Sequence, residues 1–320
     1  MSNAALAADR SEARTASDRP EPMNTRHGKK QDRKFGTIIA PYLFVLPAFV
    51  IVFVFIVLAA LNTFRLAFTD STLLRPGKFV GFENFIKLFH DEYFLTALLN
   101  STIYVICVVP FMVILPLILA YLVKGNSRIM GFFRTAFYMP VVMSAVVVGM
   151  IWTNLLDSAG LVNSVLKALK IISKPIPFLT DRWGVLFSSM FVTIWLGLGY
   201  YMVIYLANID ESLYEAASLD GAGPVRQFIY VTMPGVRSTM MLIMMLSTIA
   251  AFRVFNEIYV LTNGSAGPGG MDMTMSMLIK REGTGIQART GYASAISIVV
   301  LVIVGVMLIV QQILQKRGED

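Results

Sequence analysis

Six long apolar runs constrain this chain more than any other feature, because five of them contain no Asp, Glu, Lys or Arg. They cover residues 38–61, 97–123, 135–156, 184–207, 239–262 and 292–314. At about 1.5 Å per helical residue the shortest reaches about 33 Å, enough to cross a hydrocarbon core about 30 Å thick. A soluble domain spreads its charge, whereas here 56% of residues are hydrophobic, 15% are charged and the mean hydropathy is +0.67. Those values exclude a water-soluble globule and predict an all-α polytopic membrane protein with six transmembrane helices. A polar tail over residues 1–37 is expected to be disordered, and residues 38–318 are expected to form the transmembrane domain. Pro41, Pro47, Pro110, Pro116 and Pro140 fall in or beside the first three runs, which predicts kinked helices whose freed carbonyls are satisfied by neighbours.

The net charge is +7, but eight of the 27 basic residues precede Thr37, and no basic stripe alternates with aromatics. Anionic lipid is the expected partner of that tail, and nucleic acid is not. The first run starts too late and continues too long for a cleaved signal peptide, so it is read as a retained span. With the amino terminus inside, 15 Lys and Arg fall on the cytoplasmic side and 11 outside. Without the tail the count is 7 against 11, so orientation rests on Arg26, Lys29, Lys30, Arg33 and Lys34, with Lys316 and Arg317 consistent at the other end. Both termini are expected in the cytoplasm. Cys107 is the single cysteine and His27 and His90 have no metal-ligating neighbours, so no disulfide, metal site or bound cofactor is expected.

The outer connections are then residues 62–96, 157–183 and 263–291. In the first, Phe79, Phe82, Phe85, Ile86 and Phe89 recur at helical spacing beside Glu83, Asn84 and Lys87. That pattern predicts a short amphipathic helix at the outer interface, serving either as a cap on the bundle or as a docking surface.

The long cytoplasmic connection, residues 208–238, carries Tyr214-Glu215-Ala216-Ala217-Ser218-Leu219-Asp220-Gly221-Ala222-Gly223-Pro224, and continues to Phe228 and Met233-Pro234. Local physics predicts helix, turn, helix: Glu215 to Leu219 suit a short helix, Asp220-Gly221 supplies the turn, and Pro224 suits a first helical turn. The segment resembles the EAA motif of permease subunits in binding-protein-dependent ABC importers, with Glu215, Ala216, Ala217, Asp220, Gly221, Ala222 and Phe228 at the motif's spacing. Met233 stands where that motif has Leu, and Ser238 where it often has Pro. Phe79 to Phe85 is similar to the family's first external loop, and Phe252 to Thr262 to the end of its fifth span, both of the maltose and glycerol-phosphate type.

The resemblance implies a type I ABC importer permease fold in a bacterial or archaeal inner membrane, and a role in importing a sugar or sugar-like solute by alternating access. It also implies that Glu215, Ala216, Ala217, Asp220, Gly221 and Ala222 form the coupling helix that enters a cleft of a cytoplasmic ATPase. Two such ATPase subunits holding ATP and magnesium, a second permease that is a paralogue, and an extracytoplasmic solute-binding protein are the implied partners. No Gly-x-x-x-x-Gly-Lys-Ser/Thr sequence occurs, so this chain is not expected to hydrolyse ATP or to be an enzyme.

Two places could meet solute. Trp195 to Tyr201 puts Gly197 and Gly199 among three aromatics. Leu196, Gly197 and Tyr200 match lining positions of the maltose-type permeases, while the plainer reading is helix packing by glycine. Arg253 and Glu257, four residues apart, are expected to share a helix face and pair. With Asn256 and Ser247 they would present polar groups to hydroxyls, or else form a structural ion pair. Asn100, Asn154 and Tyr104 are weaker candidates. An ion-gradient-driven secondary transporter is the alternative function, but it leaves the Glu215–Ala222 segment unexplained.

Overall fold

A computed structural model of the chain describes residues 35–286 and 288–317. Most of the predicted tail therefore lies outside the described residues, and helix begins at Phe35, inside the tail's expected boundary. The described residues form two units that divide between Leu58 and Ala59. In the first, helix α1 (Phe35–Val52) leads into a π-helical turn, Phe53–Val57. Helix α2 (Leu58–Ala67) has its first residue in the first unit and the rest in the second, and the apolar stretch Pro41–Ala67 ends six residues beyond the predicted first span.

The second unit continues with α3 (Glu83–Leu88), α4 (Glu92–Leu122), α5 (Arg128–Tyr138), α6 (Ala145–Leu156), α7 (Leu161–Ala168) and α8 (Arg182–Leu206). Then come α9 (Glu211–Leu219), α10 (Pro224–Gln227), a π-helical turn (Phe228–Thr232), α11 (Met233–Gly235), α12 (Arg237–Phe252) and α13 (Asn256–Leu261). Helices α14 (Met275–Gly283) and α15 (Thr290–Arg317) complete the fold. Among the described residues, five stretches are long and apolar enough to cross a membrane, or six if the pair Pro224–Gly235 and Arg237–Phe252, bent by 71°, counts as one span.

Helix α4 is the hub, packed by α8 and α12, with Tyr104, Leu117, Leu186, Met202, Tyr205, Ile243 and Phe252 fully buried between them. Asp91 starts it by accepting the Tyr93 N–H at 2.9 Å. Pro116 cannot donate to the turn before it, and the neighbouring Val113 carbonyl takes the buried Tyr205 hydroxyl at 3.0 Å. The predicted outer helix forms as α3, and Asn84 ties it to α2 by donating to the Ala67 and Thr69 carbonyls at 2.8 and 2.9 Å.

Two expected spans are broken. Residues 135–156 do not form one helix: α5 ends at Tyr138, a 3₁₀ turn covers Met139–Val142, and α6 starts only at Ala145. Pro140 has no N–H to give to the turn before it, yet Met139 before it stays helical, and the chain leaves helix only at Met143 and Ser144, which are both extended. Residues 239–262 are divided as well, because α12 stops at Phe252 and Phe255 takes φ −141° and ψ −57° before α13. No Pro or Gly marks this break. The Val254 carbonyl there accepts the hydroxyl of buried Thr274 at 2.9 Å, so the loop after α13 props the break open.

Candidate functional site: a helical hairpin fastened to the central helix

Residues 208–238 fold as predicted into two short helices around a turn. Asp210 caps α9 by accepting the Ser212 N–H at 2.9 Å and the Ser212 hydroxyl at 2.8 Å, bonds that hold its carboxyl below the usual carboxylate range. The helix closes at Asp220, and Gly221 turns the chain with φ +73°. No atom lies within 4 Å of where a Gly221 side chain would start, so conformation and not space calls for glycine there. Gly223 and Pro224 then begin α10. Glu215, Ala216, Asp220 and Gly221 are exposed, while Ala217 and Ala222 are half-buried. The Ala222 N–H returns to the Ala217 carbonyl at 2.9 Å and closes the hairpin. Glu215 makes no ion pair among the described residues.

The hairpin is bound to the end of α4 by residues that sequence reasoning missed. Lys124, two residues past α4, places its Nζ 3.0 Å from the centre of the Tyr214 ring and 4.2 Å from that of Tyr121. Tyr121 donates its hydroxyl to the Pro224 carbonyl at 2.9 Å and meets Phe228 edge-on at 5.3 Å. Gln227 crosses the hairpin, donating to Ser218 Oγ and to the Ala222 carbonyl, both at 3.0 Å. Tyr214 shares a 2.7 Å bond with Thr232, and burial raises the Tyr214 phenol above its usual pKa while that bond lowers it. Arg134 of α5 in turn covers the open end of α4, donating to the Val123, Lys124 and Gly125 carbonyls at 2.8 to 2.9 Å. Only the location of Lys124 and Arg134 between two runs was legible beforehand.

The expected solute-path residues do not converge in the same way. Leu196 is half-buried against the group of Val148, Val192 and Leu261. A side chain on Gly197 would meet Met112 of α4 at 2.5 Å, and one on Gly199 would meet the Phe137 carbonyl at 2.2 Å, so Gly199 lets α8 pass the backbone at the end of α5. Tyr200 is exposed and stands edge-on to Tyr201. Ser247 is buried and donates to its own helix at Met244. The expected Arg253–Glu257 pairing is corrected by the break: Arg253 ends α12, Asn256 and Glu257 begin α13, and the four-residue spacing no longer puts the charges on one face. No ion pair joins them among the described residues. Arg253 instead lines a cavity of about 580 Å³ with Ile249, Ser276 and Ser297.

Residues 89–319 match the family described as binding-protein-dependent transport system inner membrane component. The chain belongs to this family. This permease is 32% identical over 275 residues to the lactose transport system permease protein LacF of Rhizobium radiobacter, covering 84% of this chain and 92% of that one. It is 33% identical to the diacetylchitobiose uptake system permease protein NgcF of Streptomyces coelicolor (strain ATCC BAA-471 / A3(2) / M145), over 90% and 85% of the two chains. Its fold is similar to that of a chain in the bacterial alginate ABC transporter solved with an alginate pentasaccharide-bound periplasmic protein, with a TM-score of 0.76, 23% identity and coverage of 89% and 98%. As a membrane component of a binding-protein-dependent system, the permease forms a transport path and does not itself catalyse a reaction.

Proposed function

We propose that this permease is half of the translocation pathway of an ATP-driven ABC importer for a sugar or sugar-like solute, and that the α9–α10 hairpin is its coupling element. The observation that carries the reading is an exposed, glycine-hinged hairpin held to the central helix by the Tyr121, Lys124 and Tyr214 contacts. A partner surface moving Glu215 to Ala222 would displace the end of α4, and with it the helices packed on α4. Leu219 and Tyr230, 91% and 75% exposed, add apolar area for such a partner. The names of the relatives, lactose and diacetylchitobiose systems among them, support a saccharide.

In this reading both termini are cytoplasmic, and closure of two ATP-loaded ATPase subunits turns the bundle outward to receive solute from an extracytoplasmic binding protein. A paralogous second permease completes the path. No residue of this chain breaks a covalent bond. The gradient-driven alternative has the charges Arg253 and Glu257 and the general hydrophobicity behind it, and it leaves the hairpin at Glu215 to Ala222 without a role.

The test is uptake into vesicles of the complete importer with ATP inside and ion gradients collapsed. Wild type is expected to accumulate solute, while Glu215→Lys and Gly221→Pro lose uptake about tenfold or more and keep ATP hydrolysis. Normal uptake by both variants, or no uptake without a gradient, rejects the proposal.

A further inference from the structure

At the end of the bundle opposite the hairpin lies a cluster of cations that coupling does not use. Helix α4 starts there, α13 ends there and α15 starts there, tied to α4 by the Tyr292 hydroxyl on Asp91 at 2.6 Å. A cavity of about 390 Å³ opens between Tyr93, Phe255, Tyr259, Lys280 and Arg281, walled on its remaining side by the backbone of the loop after α13. Gly264, Ala266, Gly269 and Gly270 of that wall all have positive φ, from 57° to 80°, and little side chain to fill the space.

The cations are held on aromatic faces. Phe255 and Tyr259 stack with ring centres 5.0 Å apart, and Lys280 Nζ lies 3.6 Å from the Tyr259 centre and 5.1 Å from that of Phe255. Arg281 lies 4.0 Å over Tyr93, but its guanidinium is already engaged by Glu282 at 3.0 Å. Lys280 has no carboxylate within ion-pair distance among the described residues, and no acidic side chain lines the cavity. A ring face satisfies one side of an ammonium and leaves N–H donors for an anion. Tyr259 is also a wall of a second cavity, of about 350 Å³, where Thr153, Asn154 and Asn263 supply uncharged polar groups. Tyr259 thus borders both a cationic space and a neutral polar one, and the two volumes together suit a ligand of two small rings.

We propose that these adjoining cavities form a binding site for a saccharide that carries a carboxylate, with the acidic group at Lys280 and the neutral hydroxyls at Asn154 and Asn263. The proposal rests on the saccharide-import reading and narrows it to acidic sugars. The ammonium supplies a charge-assisted bond that a neutral sugar cannot use, so charge sets the preference and the amides add affinity for either kind.

The test measures binding of digalacturonate and of its neutral counterpart, digalactose, to the importer complex in phosphatidylcholine nanodiscs by calorimetry. Digalacturonate is expected to bind about tenfold more tightly, a typical effect of one charged hydrogen bond. Lys280→Met should remove that preference without changing the affinity for digalactose, and Lys280→Arg should keep it. Equal affinities in wild type, or a preference that survives Lys280→Met, overturns the site. Weaker retention of phosphatidylglycerol by Lys280→Met, with both sugar affinities unchanged, assigns the cation to lipid and also overturns it. Loss of binding-protein capture by Lys280→Met, with both sugar affinities unchanged, does the same in favour of a protein partner. ATP-dependent uptake recorded in parallel separates failure of this site from failure of the transport reading.

Discussion

Single side chains decide how firmly the hairpin is held. Lys124 carries no motif signature, yet its ammonium lies between two rings from distant parts of the chain. A cation on an aromatic face contributes about 0.5–1 kcal/mol at exposed sites and about 2 kcal/mol when desolvated. Lys124→Met keeps the apolar stem and removes the charge. The expected outcome is a several-fold fall in solute moved per ATP hydrolysed, with hydrolysis itself preserved, measured in reconstituted vesicles. Asp272 shows a different residue-scale effect. It is buried in the loop after α13 with neither carboxylate oxygen hydrogen-bonded among the described residues, and burial pushes it up to about 7, with Arg182 pulling it down and Asp181 pushing it up. A carboxyl raised by folding stabilises the loop in its protonated form, fully below the ordinary carboxyl pKa of about 4, and that contribution is lost as pH rises through about 7. Amide exchange over residues 264–274 is therefore expected to be better protected at pH 5 than at pH 8 after correction for intrinsic rates. Asp272→Asn should flatten that difference, and an unchanged pH dependence would contradict it.

At the scale of elements, helix ends matter more than helix interiors here. The last turn of α4 would leave carbonyls open, and one guanidinium from α5 covers three of the groups at and beyond that end. Arg134→Leu removes these donors, a loss of about 1.5–3 kcal/mol by the usual worth of a hydrogen bond to a charged group. Its expected signature is faster amide exchange confined to residues 120–126 and a lower thermal midpoint in detergent. Packing between elements depends on glycine in the same local way. A side chain at Gly149 would meet Val260 of α13 at 2.4 Å, and one at Gly199 would meet the backbone of Phe137 at 2.2 Å. Gly199→Ala is expected to destabilise the bundle by about 1–3 kcal/mol, the usual cost of overpacking, read as a lower midpoint on thermal unfolding. Gly221→Ala should lower that midpoint by the equivalent of about 1 kcal/mol through its positive φ alone, because its surroundings are open and no neighbour has to move.

For the molecule as a whole, the hairpin, Lys124 and Arg134 form a continuous set of contacts around one end of the central helix α4. Helix α8, packed on α4, also packs on α5 and α13, pieces of the two broken spans, so a displacement at the hairpin reaches elements already divided. Broken helices suit a bundle that alternates between two arrangements, since each half can turn without unwinding a longer helix. The uncoupling expected of Glu215→Lys and Gly221→Pro belongs to this scale, because neither residue touches the bundle interior and only the connected set makes them matter.

The sequence by itself determined the membrane class, the number and approximate places of the apolar runs, and the hairpin of residues 208–238. Hydropathy, turn chemistry and a local motif are properties of neighbouring residues, so they can be read along one dimension. Tertiary structure decided where the fifth run breaks, since the Val254 carbonyl is released to Thr274, twenty residues further on, with no Pro or Gly to announce it. It also separated Arg253 from Glu257, gave Gly199 to helix packing, and brought Tyr121 and Lys124 onto Tyr214. Those outcomes depend on which helices lie side by side, and a contact between residues about ninety positions apart leaves no periodic trace in either segment.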